Sequence, residues 1–446
     1  MSYRKSAITK IQGTIILVII IAAVILGIYY YYTSPPSSPP EQPPEQPPEQ
    51  PPEQPPEQPP EQPPSETVKV GMIVSLSGAL ASAGRLQKIC AEEAIKMIND
   101  AGGVFFRNYQ RWLPIEPVFY DDESNPSRAT ELAARLANEG VIAVICSSYA
   151  HISIPAAKVT ERNAIPLING GAPVEMFEAQ GPWNYTWSYS MSYRKINNAF
   201  IQVLNNYKNS VNRRVAVVLS DDALGRTHRT LIVPMLEVAG YYVFCPDLYP
   251  PATTDFTALI TQIKEQNCEV LWMHGSPSAF AAFWRQCLTL GYKPKILYQS
   301  GGIARLEDVN ALGGDLAKGI ITHLVWHLDY PYPMSATYKE LWTKYLTEYN
   351  IDLSPVGAYY FTIWYILKDA LERAGKLDKE ALNVAIGETS FVGAVGRISF
   401  NVTTHTGTGS MTLGQWMKTQ YGTWVLAPIW SEVAEVKTVT PIFPLP

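Results

Sequence analysis

Cysteine is scarce and unpatterned: Cys90, Cys146, Cys245, Cys268 and Cys287 are the only five in 446 residues, and no C-x-x-C pair occurs. An odd number of thiols, each set in an apolar stretch, points to buried free cysteines rather than a disulfide framework or a thiolate metal centre. Basic clusters are also missing. With 35 Lys and Arg against 40 Asp and Glu, the net charge is −5, which argues against nucleic acid or an anionic lipid surface as partner. The Walker A loop, the dinucleotide-binding glycine signature and HExxH are absent, so the usual nucleotide and zinc-hydrolase chemistries have no foothold. His274-Gly275-Ser276 follows an apolar run, but Pro277 and Ser278 come where a nucleophile elbow needs a different pattern. His323 and His327 in HLVWH lie in a strand pattern without further ligands in reach. Asp121 and Asp122 are adjacent on a strand, so they point to opposite faces and suit turns and caps better than acid–base work. No catalytic residue, metal or cofactor is expected.

Proline, in contrast, is abundant and ordered. PPEQ repeats run from Pro39 to Gln62, where fixed φ angles and missing donors exclude helix and sheet. At about 3.1 Å per residue the Pro-rich run from Pro35 to Pro64 extends on the order of 90 Å. Ahead of it, Ile11 to Tyr32 carries no charge, with Arg4, Lys5 and Lys10 before it and Tyr29 to Tyr32 at its end. Length, flanking charge and the aromatic belt read as one uncleaved transmembrane anchor with the N-terminus inside. The expected layout is a cytoplasmic N-terminus 1–10, an anchor 11–32, a spacer 33–66 and a large portion outside the membrane. This single-pass cell-membrane layout fits a prokaryotic, archaeal-style surface. Asn184 in NYT and Asn401 in NVT are glycosylation sequons available to an exported chain.

From Val68 onward strands and helices alternate. VKVGMIVSL, IEPVFYDD, VIAVICSS and AIPLIN read as strands, separated by a loop SGALASAG with a helix after it, by NPSRATELAARLANEG and by a helix near IPAAKVTERN. RRVAVVLS, YYVFCPDLY, EVLWMHG and PKILYQS repeat the pattern, and Pro234 in the intervening helix predicts a bend or early stop. Strict alternation calls for parallel sheets covered on both faces: an α/β chain of two doubly wound units. Ligands of such sheets bind beyond the carboxyl ends of the strands. The loops there start at Ser75, Ser147, Asn169, Ser220, His274 and Gln299, and their small polar residues suit a polar or anionic small molecule.

VKVGMIVSLSGALASAG, YDDESNPSRATELAARLANEGVIAVICSS, IPLINGGAPVE and VGAYYFTIWYILKDAL, in this order and spacing, resemble the extracytoplasmic solute-binding proteins of branched-chain amino acid ABC importers. The resemblance runs from Val68 to about Trp430 and implies the type I periplasmic-binding fold, two lobes joined by three crossovers. These would fall near Ser188 to Met191, Thr322 to Trp326 and Ala394 to Arg397, with lobe 1 made of 67–190 plus 325–394 and lobe 2 of 191–324 plus 395–446. Carried over from the resemblance, the carboxylate grip corresponds to Ala150 with His151 to Ser153, and to Gly170, Gly171 and Ala172, with Ser148 and Tyr149 in the same loop. In lobe 2 the family's ligand-facing aromatics fall on Leu224 and Ser276, its ammonium-binding acid falls on Ser300, and Asp222 and His274 are neighbours. The family's early disulfide positions match Ser124 and Tyr149, so that bridge is missing here.

Ser300 supplies no charge, and an unpaired desolvated ammonium costs several kcal/mol. The departure favours a non-zwitterionic solute, such as an organic acid or amide, unless Asp221, Asp222 or Glu175 substitutes. The expected function is a membrane-anchored substrate-binding protein of an ABC importer that closes on a small polar solute, with permease subunits as partners. The alternatives are a sensory ectodomain acting through a partner, since only about ten residues precede the span, and an extracellular hydrolase, for which no nucleophile–base pair is found.

Overall fold

A computed structural model of the chain describes residues 22–26, 28–30, 32–33, 61–146, 149–301, 303, 305–313 and 315–446. Residues to Pro59 form one unit and Pro60–Pro446 a second. In the first, residues 22–26, 28–30 and 32–33 are helical, and the rest of the expected anchor and nearly all of the spacer lie outside the described residues. Among the described residues no helix is long and apolar enough to cross a membrane.

In the second unit, β1 (Val68–Val74) is followed by α1 (Ala81–Asp100), the hairpin β2 (Val104–Phe106) and β3 (Arg111–Leu113), β4 (Ile115–Asp121), α2 (Pro126–Asn138), β5 (Ala143–Cys146), α3 (Ala150–Arg162), β6 (Leu167–Asn169), α4 (Val174–Glu178) and β7 (Thr186–Tyr189). The chain then crosses to α5 (Tyr193–Asn206), β8 (Arg214–Leu219), α6 (Ala223–Val238), β9 (Tyr242–Phe244), α7 (Thr257–Glu265), β10 (Val270–His274), α8 (Pro277–Thr289), β11 (Ile296–Ser300), α9 (Leu306–Leu312) and β12 (Ile321–Leu324). It returns through α10 (Pro333–Tyr349), α11 (Ser354–Ala374), α12 (Lys379–Gly387), the hairpin β13 (Ser390–Gly393) and β14 (Gly396–Ser399), and β15 (Thr406–Gly407), and ends in the hairpin β16 (Thr412–Lys418) and β17 (Trp424–Ser431).

The first sheet has the order β15-β7-β6-β5-β1-β4, parallel throughout, and the second β17-β16-β12-β11-β10-β8-β9, parallel except for β16 and β17. Period-two alternation places each sheet between helices. Val68, Val70 and Met72 face Cys90, Ala94 and Phe361 of α1 and α11, while Ile73 joins Leu132, Leu136 and Ile152 of α2 and α3. In the second sheet Val217, Trp272 and Tyr298 pack under Phe200 and Ile232 of α5 and α6, and Val218, Leu271 and Met273 pack against Phe280 and Phe283 of α8.

A glycine in the first turn of the helix after the first strand recurs in both halves. A Cβ on Gly84 would lie 1.7 Å from the Ser75 carbonyl oxygen, and one on Gly225 1.9 Å from that of Ser220. Only glycine lets helix and strand end approach this closely.

Four features differ from the sequence reading. The helix after β1 starts within the expected loop, at Ala81. α6 runs unbroken through Pro234, because Pro234 and Thr230 are exposed and the carbonyl left without a partner faces water. α5 was not anticipated, although Ser192 caps it and Ile196, Phe200 and Leu204 share its buried face. Thr406–Gly407 pairs with β7 in the first sheet, so the last passage between sheets runs through 408–411, later than the expected 394–397. The short strand has two residues and no alternating pattern to announce it. All five cysteines are free, four of them buried and Cys245 partly so.

Candidate functional site

The direction of winding reverses between β1 and β5 in the first sheet and between β8 and β10 in the second. At such switch points neighbouring loops diverge and leave a crevice beyond the carboxyl ends of the strands. In the first sheet the crevice is bordered by the loops after Val74 and Cys146, in the second by Ser220 to Asp222 and by His274 to Ser276. Tyr193, at the first crossing, links the two sides: its amide donates to Glu175 at 3.1 Å, and its ring lies 4.2 Å from that of His228, whose own ring is 4.9 Å from that of His274.

On the first side α3 begins at Ala150 with no side chain capping it, and the Tyr149 carbonyl accepts from the amides of Ile152 and Ser153. Tyr149 is 52 % exposed and His151 is exposed, their rings 6.4 Å apart. Ser153 is fully buried, and its hydroxyl has no partner among the described residues. Ser148 lies outside the described residues. The amides of Gly171 and Ala172 are already engaged by the Asn169 side chain at 3.0 and 3.2 Å, and that of Gly170 donates to the Cys146 carbonyl at 3.1 Å. An uncapped helix start presents free N–H groups and the positive end of a dipole, which suits a carboxylate.

On the second side Asp222 caps α6, accepting from the Gly225 amide at 2.7 Å. His274 Nδ1 lies 3.1 Å from the Ser300 carbonyl, which can only accept, so Nδ1 donates to it, while Nε2 lies 3.5 Å from Asp222 Oδ1 and donates to it when the ring carries its second proton. Partial burial alone would raise the Asp222 carboxyl, but His274 and the Gly225 amide outweigh it and hold the group well below the usual range. Ser276 caps α8 through the Ala279 amide, and Leu224 is half-buried in the first turn of α6.

Ser300, matched by resemblance to an ammonium-binding acid, is fully buried and turned inward. Its hydroxyl lies 3.3 Å from His228 Nε2. His228 belongs to a buried aromatic nest that sequence reasoning missed, 4.2 Å from Tyr193 and 4.8 Å from Trp272 by ring centroids. His323 joins it through Tyr298, whose hydroxyl is 3.0 Å from Nδ1. Burial first, and the charge of His274 second, hold His228 well below the ordinary imidazole range and bring His323 down to about 4. Nothing in a lone helical histidine signals such a nest.

The other acids are occupied. Glu175 accepts from the Ser192 hydroxyl at 2.6 Å and from the amides of Arg194 and Tyr193 at 2.9 and 3.1 Å. Asp221 pairs with Arg226 and accepts no other bond from the loops described. Asp121 takes the amides of Leu76, Ser77 and Glu123, and Asp122 the Ser75 hydroxyl and the Ser124 amide. Away from the crevices, Asn184 donates to Glu161 at 3.0 Å, whereas Asn401 sits in an exposed turn and accepts from Thr403 and Thr404. Among the described residues no group of three metal-ligating side chains occurs.

A model of the periplasmic binding protein family matches residues 67–420. A leucine-, isoleucine-, valine-, threonine- and alanine-binding protein of Pseudomonas aeruginosa is 23 % identical over 75 % of this chain and 86 % of its own length. A Leu/Ile/Val-binding protein of Rhizobium johnstonii is 24 % identical over 78 % and 91 %. Among solved structures, a solute-binding protein of an ABC transporter from Rhodopseudomonas palustris, in complex with p-hydroxybenzoic acid, is similar with a TM-score of 0.67 and 19 % identity over 83 % of this chain and 98 % of that one. A branched-chain amino acid transporter substrate-binding protein from Streptococcus pneumoniae, in complex with isoleucine, gives 0.63 and 19 % over 83 % and 99 %. The chain belongs to the periplasmic binding protein family, in the type I fold of its branched-chain amino acid branch, and its relatives are solute-binding proteins rather than enzymes.

Proposed function

We propose that the protein is the extracytoplasmic substrate-binding subunit of an ABC importer, held at the membrane by residues 11–32 and displayed on the proline-rich spacer. The observation that supports this reading is that Tyr193 links two switch-point crevices through Glu175 on one side and His228 and His274 on the other, the first crevice with an uncapped helix start and the second with polar side chains. A small acid fits between them. Its carboxylate meets the start of α3, and its body lies against Leu224, His274 and Ser276 from the second side. A solute touching both sides stabilises the closed arrangement, which a permease can recognise. Relatives that bind branched-chain amino acids or hydroxybenzoic acids support this size and charge of ligand. Val24, Ile25, Leu26 and Ile28, exposed on their helix, fit the anchor reading because such side chains gain by entering lipid.

The family match spans residues 67–420, and 83 % of this chain accounts for 98 % and 99 % of two solved relatives, so the fragment Ser65–Pro446 should fold by itself. A thermal-shift screen of that fragment against amino acids, organic acids, amides and sugars tests the proposal. A compound at a hundredfold its dissociation constant adds about 2.7 kcal/mol. If no compound in a broad library raises the melting temperature, the solute-binding reading fails.

A further inference from the structure

The acids around the two crevices differ in what they still offer. Glu175 is buried and saturated by the start of α5, Asp221 is tied to Arg226, and Asp121 and Asp122 are engaged by the loops after β1 and β4. Asp222 differs. It stands at the switch point of the second sheet with its side chain 40 % exposed; the Gly225 amide and His274 both approach the same oxygen, Oδ1, and the Ser220 hydroxyl supports the carboxylate from the strand end. Ser300, in contrast, is fully buried, with its hydroxyl turned to His228 at 3.3 Å. The two ends of the site are therefore chemically opposite, uncapped amides at α3 and a carboxylate at the start of α6.

We infer that Asp222 is the specificity-determining residue of the second side, and that it accepts a hydrogen bond from an N–H or O–H donor carried by the small acid whose carboxylate meets α3. The inference rests on the solute-binding reading and narrows it. An amino acid would supply the donor as its ammonium and a hydroxy acid as its hydroxyl, while an acid with neither takes water from the carboxylate without replacing the hydrogen bond it loses. Asp222→Asn is a clean perturbation, since Asn caps helices as well as Asp does and differs chiefly in charge.

The test is calorimetric titration of the Ser65–Pro446 fragment, wild type and Asp222→Asn, with four probes: leucine, 4-methylpentanoate, p-hydroxybenzoate and benzoate. Wild type should bind one donor-bearing acid at least tenfold more tightly than its donor-free counterpart. Asp222→Asn should lose at least tenfold of that preference, because the donor-bearing acid loses its charged acceptor and the donor-free acid no longer desolvates a carboxylate. A preference for leucine identifies the donor as an ammonium, and one for p-hydroxybenzoate as a hydroxyl. Equal binding within both pairs, or an unchanged preference in Asp222→Asn, overturns the assignment while the solute-binding reading stands. Failure of all four to bind overturns the assigned solute class, and the wider screen then decides the solute-binding reading separately.

Discussion

Glu175→Gln should destabilise the folded unit by about 3–4 kcal/mol without touching the solute. The carboxylate takes two donors on Oε1, the Ser192 hydroxyl and the Arg194 amide, and one on Oε2, the Tyr193 amide. Glutamine keeps only one acceptor atom. With its oxygen toward Ser192 and Arg194, its amide opposes the Tyr193 N–H, and a buried donor without an acceptor costs about 1–3 kcal/mol. The two remaining bonds change from charge-assisted to neutral and weaken by roughly 1 kcal/mol each. Loss of an anion at the start of α5 removes about 0.5 kcal/mol more. Partial relaxation brings the sum to the stated range. Urea unfolding followed by tryptophan fluorescence measures it, with the slope checked for constancy. A loss below about 1 kcal/mol would refute the claim that Glu175 welds the first crossing.

The remaining predictions concern packing, pH and thiols. Gly84→Ala and Gly225→Ala should each lower stability by about 2–3 kcal/mol, because the added methyl meets strand backbone; melting curves within a degree of wild type would show that the turns can open. His323 is neutral in the folded state down to about pH 4, whereas the unfolded imidazole takes a proton near 6.5. Stability should thus fall as pH drops from 6.5 toward 4 and level off below, by about 3 kcal/mol, with His228 acting in the same direction; His323→Gln should flatten this segment, and an unchanged profile would contradict the assignment. Burial pushes the Cys90 thiol up to about 12 and that of Cys268 to about 11, and raises Cys287 further. An aromatic disulfide reagent should label at most Cys245 quickly in the native fragment and all five thiols after unfolding, so fast labelling of several would place those cysteines at the surface.

Alternation of strands and helices was legible through most of both halves, since buried parallel strands are apolar runs and their helices carry one apolar stripe. What escaped depends on partners distant in sequence. The inward turn of Ser300 follows from its pairing with His274 and from His228, 72 positions away. Glu175 reads as a free acid until α5 is seen to start at Tyr193 and use it as a cap. β16 and β17 pair antiparallel across a tight turn near Gly422, and LGQWMK and WVLAPIWS lack the clean polar alternation that would have marked a hairpin. Asp222 stood in the expected site among several equals, and only the occupation of its neighbours distinguishes it.

All three passages between the sheets leave from neighbouring strands, β7 and β15 at one edge of the first sheet and β12 and β16 near one edge of the second. They are laced together, Tyr330 to Thr412 at 3.0 Å and Lys195 to Gly409 and Glu432 at 2.9 Å. Such an arrangement is a lever. Strands lie about 4.8 Å apart, so Asp222, beyond β8 and three strands from β12, sits on an arm of roughly 14 Å. A turn of about ten degrees about that edge would carry it by roughly 2.5 Å, the difference between a made and a broken hydrogen bond. The laced residues at the fulcrum would scarcely move, so on the proposed reading a small angular change at the edge would be amplified at Asp222.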